Sequence, residues 1–294
     1  MTASTSLPTW RAALCLVSLL PEAAARELGR EVGYLFSFAD RKRLRMAERH
    51  MGRVLGSGHD IRAAAREVFA SYGRYWAELF WLRADRLGVV DQHVTLEGGE
   101  YLTAARQAGR GMILAVPHLG NWEIGARVLV ERNIPVTVVA EALADRSMTE
   151  WFTATRRMLG MDVLLAAEGS HLAPALARRL RKGGAIALMT DRDLARKGLE
   201  VQFFGELTTL PAGPALLAEL TGAALLPAAV YFRPGRGHRV VIRPPLEAIQ
   251  SGSRAERRQV LAQQLAAAVE ALVREAPTQW HLLQPNWPSD RRAL

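Results

Sequence analysis

His118 and Glu123 are the residues whose types and spacing most readily suggest chemistry. They frame the segment Val116-Pro117-His118-Leu119-Gly120-Asn121-Trp122-Glu123, which follows an apolar run and opens a helical stretch. Asn121 stands where a helix N-cap belongs. His118 then lies on the turn and Glu123 in the first helical turn, within reach of the imidazole. An imidazole that titrates near neutrality can take the proton of a hydroxyl as that hydroxyl attacks an activated acyl carbonyl such as a thioester. A carboxylate on the other ring nitrogen fixes the tautomer and stabilises the imidazolium. Glu123 is the expected partner. Asp191 is a third candidate catalytic residue, because it follows the apolar run Ala185–Met189 and could bring a second carboxylate to the ring if the two runs are neighbouring strands. It could equally cap the turn that follows. Glu141 follows the run Val136–Val139 and could hydrogen-bond acceptor hydroxyls. Arg156 sits on the next helical stretch, where a guanidinium could hold a phosphate by two hydrogen bonds. Spacing alone carries little: with seven His and 29 acidic residues among 294, on the order of one His is followed by an acid five residues later by chance. A His on a strand–helix turn is as readily a structural residue.

These side chains need a scaffold. From residue 111 onward short apolar runs alternate with helical patterns. The strands expected are Met112–Val116, Val136–Val139, Val163–Leu165, Ala185–Met189, Leu225–Tyr231 and Val240–Ile242, with helices near 122–132, 147–159, 171–182, 212–221 and 253–275. That alternation predicts an α/β fold with a central, mostly parallel sheet covered by helices, and such sheets place their sites at the carboxyl ends of the strands. Residues 9–83 read as helical, with Leu28, Val32, Leu35 and Phe36 at helical spacing and aromatics from Phe69 to Trp81. The organisation expected is one domain over 1–294, with an N-terminal helical layer about 9–83, an α/β core about 94–250 and a C-terminal helix and tail about 253–294.

Composition narrows the partners. A formal net charge of +9 points to anionic ones: nucleic acid, phosphorylated substrates or anionic lipid. The single cysteine, Cys15, allows no intrachain disulfide, as in a reducing compartment. The apolar run 12–20 is too short for the roughly 20 residues that a membrane span takes. It is read as a helix lying on a membrane or packed on the core. Basic clusters at Asp40–Arg53, Arg178–Lys182 and Arg233–Arg239 are solvated faces or, beside amphipathic helices, contacts for an anionic bilayer. Trp280 and Trp287 are either interfacial anchors or core. Ser57 and Ser170 lack a plausible base. No Walker or HExxH pattern is present, the His are scattered, and no metal site is expected. A nucleic-acid-binding reading rests on charge alone, without a helix-turn-helix, RNA-recognition or zinc pattern.

His118-Leu119-Gly120-Asn121-Trp122-Glu123 resembles the HxxxxD/E block of the bacterial lipid A biosynthesis acyltransferase family, and is most similar to its phosphatidylinositol mannoside acyltransferase branch. Further blocks follow the family's order: Tyr75-Trp76-Ala77-Glu78, then Arg146 and Arg156, Thr190-Asp191-Arg192-Asp193, Phe203-Phe204-Gly205, Pro211-Ala212-Gly213-Pro214 and Thr221-Gly222-Ala223. The resemblance covers about residues 10–290. It implies a fold related to glycerol-phosphate acyltransferases, with membrane-associated N-terminal helices at the cytoplasmic face of the cell membrane as a peripheral protein. It implies no cofactor, an acyl-CoA donor carrying a palmitoyl-type chain, and an anionic glycolipid acceptor bearing a mannose hydroxyl. His118, Glu123 and Asp191 are then the catalytic candidates. Glu141, Arg156, Arg192 and Asp193 are the candidates for substrate contacts. The lipid A branch, with acyl carrier protein as donor, is the alternative within the family, since Glu rather than Asp ends the His block.

Overall fold

In the computed structural model, which describes residues 9–141, 143–166, 172–193, 195–247, 249 and 251–292, the chain opens with four helices. These are α1 (Thr9–Ser18), α2 (Glu22–Ala39), α3 (Arg41–Leu55) and α4 (Ile61–Trp81). There follow α5 (Leu87–Asp91), β1 (Val94–Glu97), α6 (Gly99–Gln107), β2 (Met112–Val116), α7 (Trp122–Glu131), β3 (Val136–Glu141), α8 (Arg146–Met158), β4 (Asp162–Ala166), α9 (Leu172–Arg181) and β5 (Ala185–Met189). Then come β6 (Leu199–Phe203), β7 (Glu206–Leu210), α10 (Gly213–Thr221), β8 (Ala224–Phe232), β9 (His238–Ile242), α11 (Arg254–Glu275) and α12 (Pro288–Arg292). Ser170 lies outside the described residues.

Seven strands form one sheet in the order β1-β9-β8-β2-β5-β3-β4. Its ladders are parallel except for the antiparallel pairing of β8 with β9. The fold is therefore the expected mixed α/β one, with a mostly parallel central sheet flanked by helices. Side chains alternate along each strand, so both faces are covered. Met112, Leu114 and Val116 enter one apolar cluster, with α7 residues such as Ile124 and Leu129. Ile113 and Ala115 enter the other, with Leu265 and Val269 of α11.

Three strands escaped the apolar-run criterion. β1 is short and half-exposed, while β6 and β7 carry polar residues on their outer face and pair as an antiparallel hairpin. Phe204 and Gly205 form its turn with φ of 49° and 77°, the doubly positive geometry that suits the twist of a two-residue hairpin.

The N-terminal layer packs unexpectedly. Helix α2 turns its small residues inward, burying Ala25, Gly29 and Gly33. A Cβ on Gly33 would lie 2.2 Å from the Phe69 carbonyl oxygen, and one on Gly73 would lie 2.0 Å from that of Gly29. Only glycine lets the backbones of α2 and α4 approach this closely. The apolar stripe Leu28, Val32, Leu35 and Phe36 consequently faces outward, with Leu16, Leu19 and Phe38 also exposed. No helix among the described residues is long and apolar enough to cross a membrane.

Trp280 and Trp287 are fully buried in the core, which overturns the interfacial-anchor alternative. Their rings pack with Phe203 and Phe204, because the segment after α11 passes under the β6–β7 hairpin rather than over the surface. Part of the basic run in α3 also turns inward: Arg49 and Arg53 bond the buried Asp290 at 3.0 and 2.8 Å.

Candidate active site

The site is built at the carboxyl ends of β2 and β5. The parallel register pairs Val116 with Met189, so the residues two positions beyond each, His118 and Asp191, emerge side by side. His118 occupies the centre of a three-residue turn closed by Leu119 N–H to the Pro117 carbonyl at 2.8 Å. The turn is pressed against the sheet: Gly120 has φ of 59°, and a Cβ there would meet the Val230 carbonyl oxygen at 1.9 Å. Gly120 donates its N–H to the Gln279 carbonyl at 2.9 Å.

His118 Nδ1 lies 2.7 Å from Asp191 Oδ1, and the His118 backbone N–H donates to Asp191 Oδ2 at 3.0 Å. The Trp280 indole N–H donates to the same Oδ2 at 2.8 Å, and Asn286 Nδ2 donates to the Asp191 carbonyl at 3.0 Å. Burial pushes the Asp191 carboxyl up, but the adjoining His118 and the hydrogen bonds from its ring, from Trp280 and from the His118 backbone offset this and hold it below its ordinary value. An ionised carboxylate only accepts, so the His118 proton sits on Nδ1 and the lone pair on Nε2. That nitrogen makes no protein hydrogen bond among the described residues, and the side chain keeps 19% exposure.

Glu123 sits elsewhere than expected. Its carboxylate accepts from Arg156 Nε at 3.0 and 3.1 Å and from Nη2 at 2.6 Å, and no hydrogen bond among the described residues joins it to His118. The physical reason is the cleft that Glu123 and Arg156 line. A carboxylate buried there needs a full counter-charge, and α8 supplies one. Burial disfavours the Arg156 charge, but the Glu123 carboxylate more than offsets it and raises the guanidinium above its ordinary value. Arg156, the residue expected to hold a phosphate, thus has its Nε and Nη2 committed to Glu123. Asn121 is at the N-cap of α7 but makes no capping bond. Its amide donates to Glu78 at 2.8 Å instead.

An open cleft runs between α7 and the sheet. Its wall is mostly aliphatic, with Leu114, Val138, Ala187 and Val240 from the sheet and Ala126 and Leu129 from α7. Val116 and Met189, which lead directly to His118 and Asp191, line it as well, with Trp122. The Trp122 ring meets the His118 ring edge-on at 5.2 Å and stacks on Tyr75 at 4.2 Å.

Other predicted residues ring the site at greater distance. Glu141 ends β3 with an exposed side chain, and Arg192 Nη2 lies 3.9 Å from its Oε2. Arg192 also donates to Gln284. Asp193 accepts the Gly198 N–H at 2.8 Å, closing the loop before β6.

Several residues were given no role by sequence reasoning. Glu78 is a buried hub that receives Arg74, Asn121 and His238 at 2.8–2.9 Å and lies 3.0 Å from Arg26. Burial opposes its charge, but His238, Arg74 and Arg26 hold it well below the usual carboxylate range. The signal was an Arg74–Glu78 pair, four apart, inside an otherwise apolar aromatic helix. His281 donates its backbone N–H to the His118 carbonyl at 2.8 Å, and its Nε2 meets Ser71 Oγ at 2.8 Å. Burial, with the nearby His118, pushes the His281 imidazole down to about 3.

A protein-family match described as bacterial lipid A biosynthesis acyltransferase covers residues 7–289. The chain is 38% identical over 288 residues to a protein of Mycolicibacterium smegmatis (strain ATCC 700084 / mc(2)155) named phosphatidylinositol mannoside acyltransferase, covering 96% of this chain and 90% of that one. It is 42% identical over 223 residues to a protein of the same name from Mycobacterium tuberculosis (strain ATCC 25618 / H37Rv), covering 75% of this chain and 69% of that one. An imidazole paired with a buried carboxylate, in ring contact with a Trp of an apolar cleft, suits acyl chemistry, and the chain belongs to the bacterial lipid A biosynthesis acyltransferase family, an acyltransferase family.

Proposed function

We propose that this acyltransferase moves a long, palmitoyl-type acyl chain from acyl-CoA to a mannose hydroxyl of a phosphatidylinositol mannoside, with His118 as general base. The observation that carries the chemistry is the His118–Asp191 pair at 2.7 Å, whose Nε2 makes no hydrogen bond among the described residues and whose imidazole meets Trp122, a residue of the apolar cleft. The relatives' printed names carry the acceptor class. In the proposed reaction the acyl chain lies in the cleft and the thioester carbonyl stands before Nε2. Nε2 takes the hydroxyl proton as the oxygen attacks the carbonyl carbon. The tetrahedral intermediate collapses, the C–S bond breaks, and the leaving thiolate recovers the proton from Nε2. Asp191 keeps the second nitrogen protonated and offsets the imidazolium charge. Glu141 and Arg192, at the same edge of the sheet, are the proposed acceptor contacts.

The same reading places the enzyme as a peripheral protein on the cytoplasmic face of the membrane. The outward stripe of α2, with Leu16 of α1 and Leu19 just after it, supplies apolar side chains for the headgroup boundary. The formal charge of +9 favours an anionic surface.

The test is transfer from radiolabelled palmitoyl-CoA to phosphatidylinositol mannoside vesicles, with His118→Ala beside the wild type. Loss of a general base costs roughly 10²–10⁴-fold. A folded variant with undiminished transfer would remove His118 as base. Transfer by the wild type from acyl carrier protein alone would replace the CoA donor.

A further inference from the structure

The segment that follows α11 is threaded through the site and carries no role in the chemistry described so far. Gln279 accepts Gly120 N–H, and His281 donates to the carbonyl of His118. Asn286 holds the Asp191 carbonyl, and Trp280 holds its carboxylate. Both Trp280 and Asp191 are shut off from solvent, at 1% and 0% exposure. Water is therefore not at hand to replace a missing donor on Asp191. Of the carboxylate oxygens, Oδ1 faces the imidazole, while Oδ2 takes the His118 backbone N–H and the Trp280 indole N–H.

The segment is fastened in turn. Asp290 accepts from Arg49, Arg53, His50 and the backbone N–H groups of Asn286 and Trp287, at 2.8–3.2 Å. The Trp280 ring is wedged among His50, Phe203, Phe204 and Trp287. The indole N–H, aimed at one carboxylate oxygen, is the feature that packing does not explain.

We propose that Trp280 is a positioning residue of the acyltransferase. Its indole N–H pins Asp191 Oδ2, so that Oδ1 is presented to His118 Nδ1 and the Nε2 lone pair is kept on the substrate side. The inference rests on His118 being the base. A carboxylate with one oxygen bonded twice cannot rotate about its χ2 without losing both bonds, so the ring it holds is held in plane as well. The titratable groups packed around this arrangement are His281, kept neutral by its burial, and His50, hydrogen-bonded to Asp290 on the far side of the Trp280 ring.

The experiment has two readouts on the full chain. In Trp280→Phe, which keeps a ring and loses the donor, kcat falls tenfold or more while KM for the acyl donor stays within about twofold. The acid limb of kcat/KM moves upward by about half a pH unit, since the more basic carboxylate stabilises the imidazolium. In the wild type, the ¹⁵N–¹H indole resonance of Trp280 shifts with pH, with an inflection at the acid limb. That shift disappears in His118→Ala. Unchanged kcat and pH profile in a folded Trp280→Phe would overturn the proposal. So would an indole resonance without that inflection, or one whose inflection persists in His118→Ala and so reports His50. Should Trp280→Phe fail to fold, the resonance decides alone. Full activity of His118→Ala would remove the base reading itself. A dead His118→Ala beside an unaltered Trp280→Phe would remove only the part played by Trp280.

Discussion

Replacing Asp191 by Asn exchanges one carboxylate oxygen for NH₂ and should nearly silence the enzyme. Oδ2 accepts from two donors, His118 N–H and the Trp280 indole, so the amide oxygen must occupy its place. The amide NH₂ is then forced to the place of Oδ1, facing His118 Nδ1. An NH₂ there donates, so Nδ1 must accept and the ring proton moves to Nε2. Nε2, the proposed base, then has no lone pair with which to take a proton. Flipping the amide would restore the tautomer but set NH₂ against two buried N–H groups, at about 1–3 kcal/mol for each unsatisfied donor. That makes roughly 2–6 kcal/mol in favour of the inactive tautomer, and loss of the carboxylate charge beside the imidazolium adds to it. The same substitution in a Ser-His-Asp triad lowers kcat about 10⁴-fold, and a fall of about 10³–10⁴ in kcat with little change in KM is expected here. The assay is steady-state acyl transfer, with circular dichroism and a melting curve to establish folding. A folded Asp191→Asn that keeps more than a tenth of wild-type kcat would refute the reasoning.

Glu123→Gln should destabilise the protein by roughly 3 kcal/mol, because it leaves the Arg156 guanidinium, itself largely buried, without its counter-charge; denaturant melts measure this, and Glu123→Met combined with Arg156→Met should recover most of the loss. His281 gives a pH dependence. Its folded value is depressed to about 3, so below the unfolded value of about 6.5 the unfolded chain binds the extra proton, and stability falls as pH falls. From pH 7.5 to 5 this amounts to about 2 kcal/mol, and His281→Gln, which can still meet Ser71, should lose that much less than the wild type over the interval. Placing charges on the outward stripe with Leu35→Glu and Phe36→Glu should weaken binding to anionic vesicles at least about tenfold in a flotation assay while leaving the melting temperature nearly unchanged, because both side chains are already exposed. Vesicle binding equal to the wild type would remove α2 as the membrane contact.

Local pattern alone carried the architecture. Aliphatic runs such as Met112–Val116 and Ala185–Met189 are buried on both faces, so hydrophobicity without alternation marked them as central parallel strands. Strands β6 and β7, a separate two-stranded hairpin, escaped because Glu200, Gln202, Thr208 and Thr209 interrupt any continuous apolar run. The block from His118 to Glu123 was legible as a turn entering a helix, and family resemblance drew the same residues together. Which carboxylate meets the imidazole was not legible, because spacing fixes chain distance but not the direction of a side chain. Register did decide it: Val116 beside Met189 sets His118 against Asp191 across a ladder whose partners are 73 residues apart at the site. Glu123, only five residues away in sequence, points instead at a charge on α8. Composition likewise could not tell that Trp280 lies inside rather than at an interface, or that the stripe of α2 faces out. Both depend on what packs opposite, namely the hairpin over Trp280 and glycine against glycine between α2 and α4. Element identity follows from the chain's own periodicity, whereas the pairing of charges in a low-dielectric site follows from which elements tertiary packing brings within 3 Å.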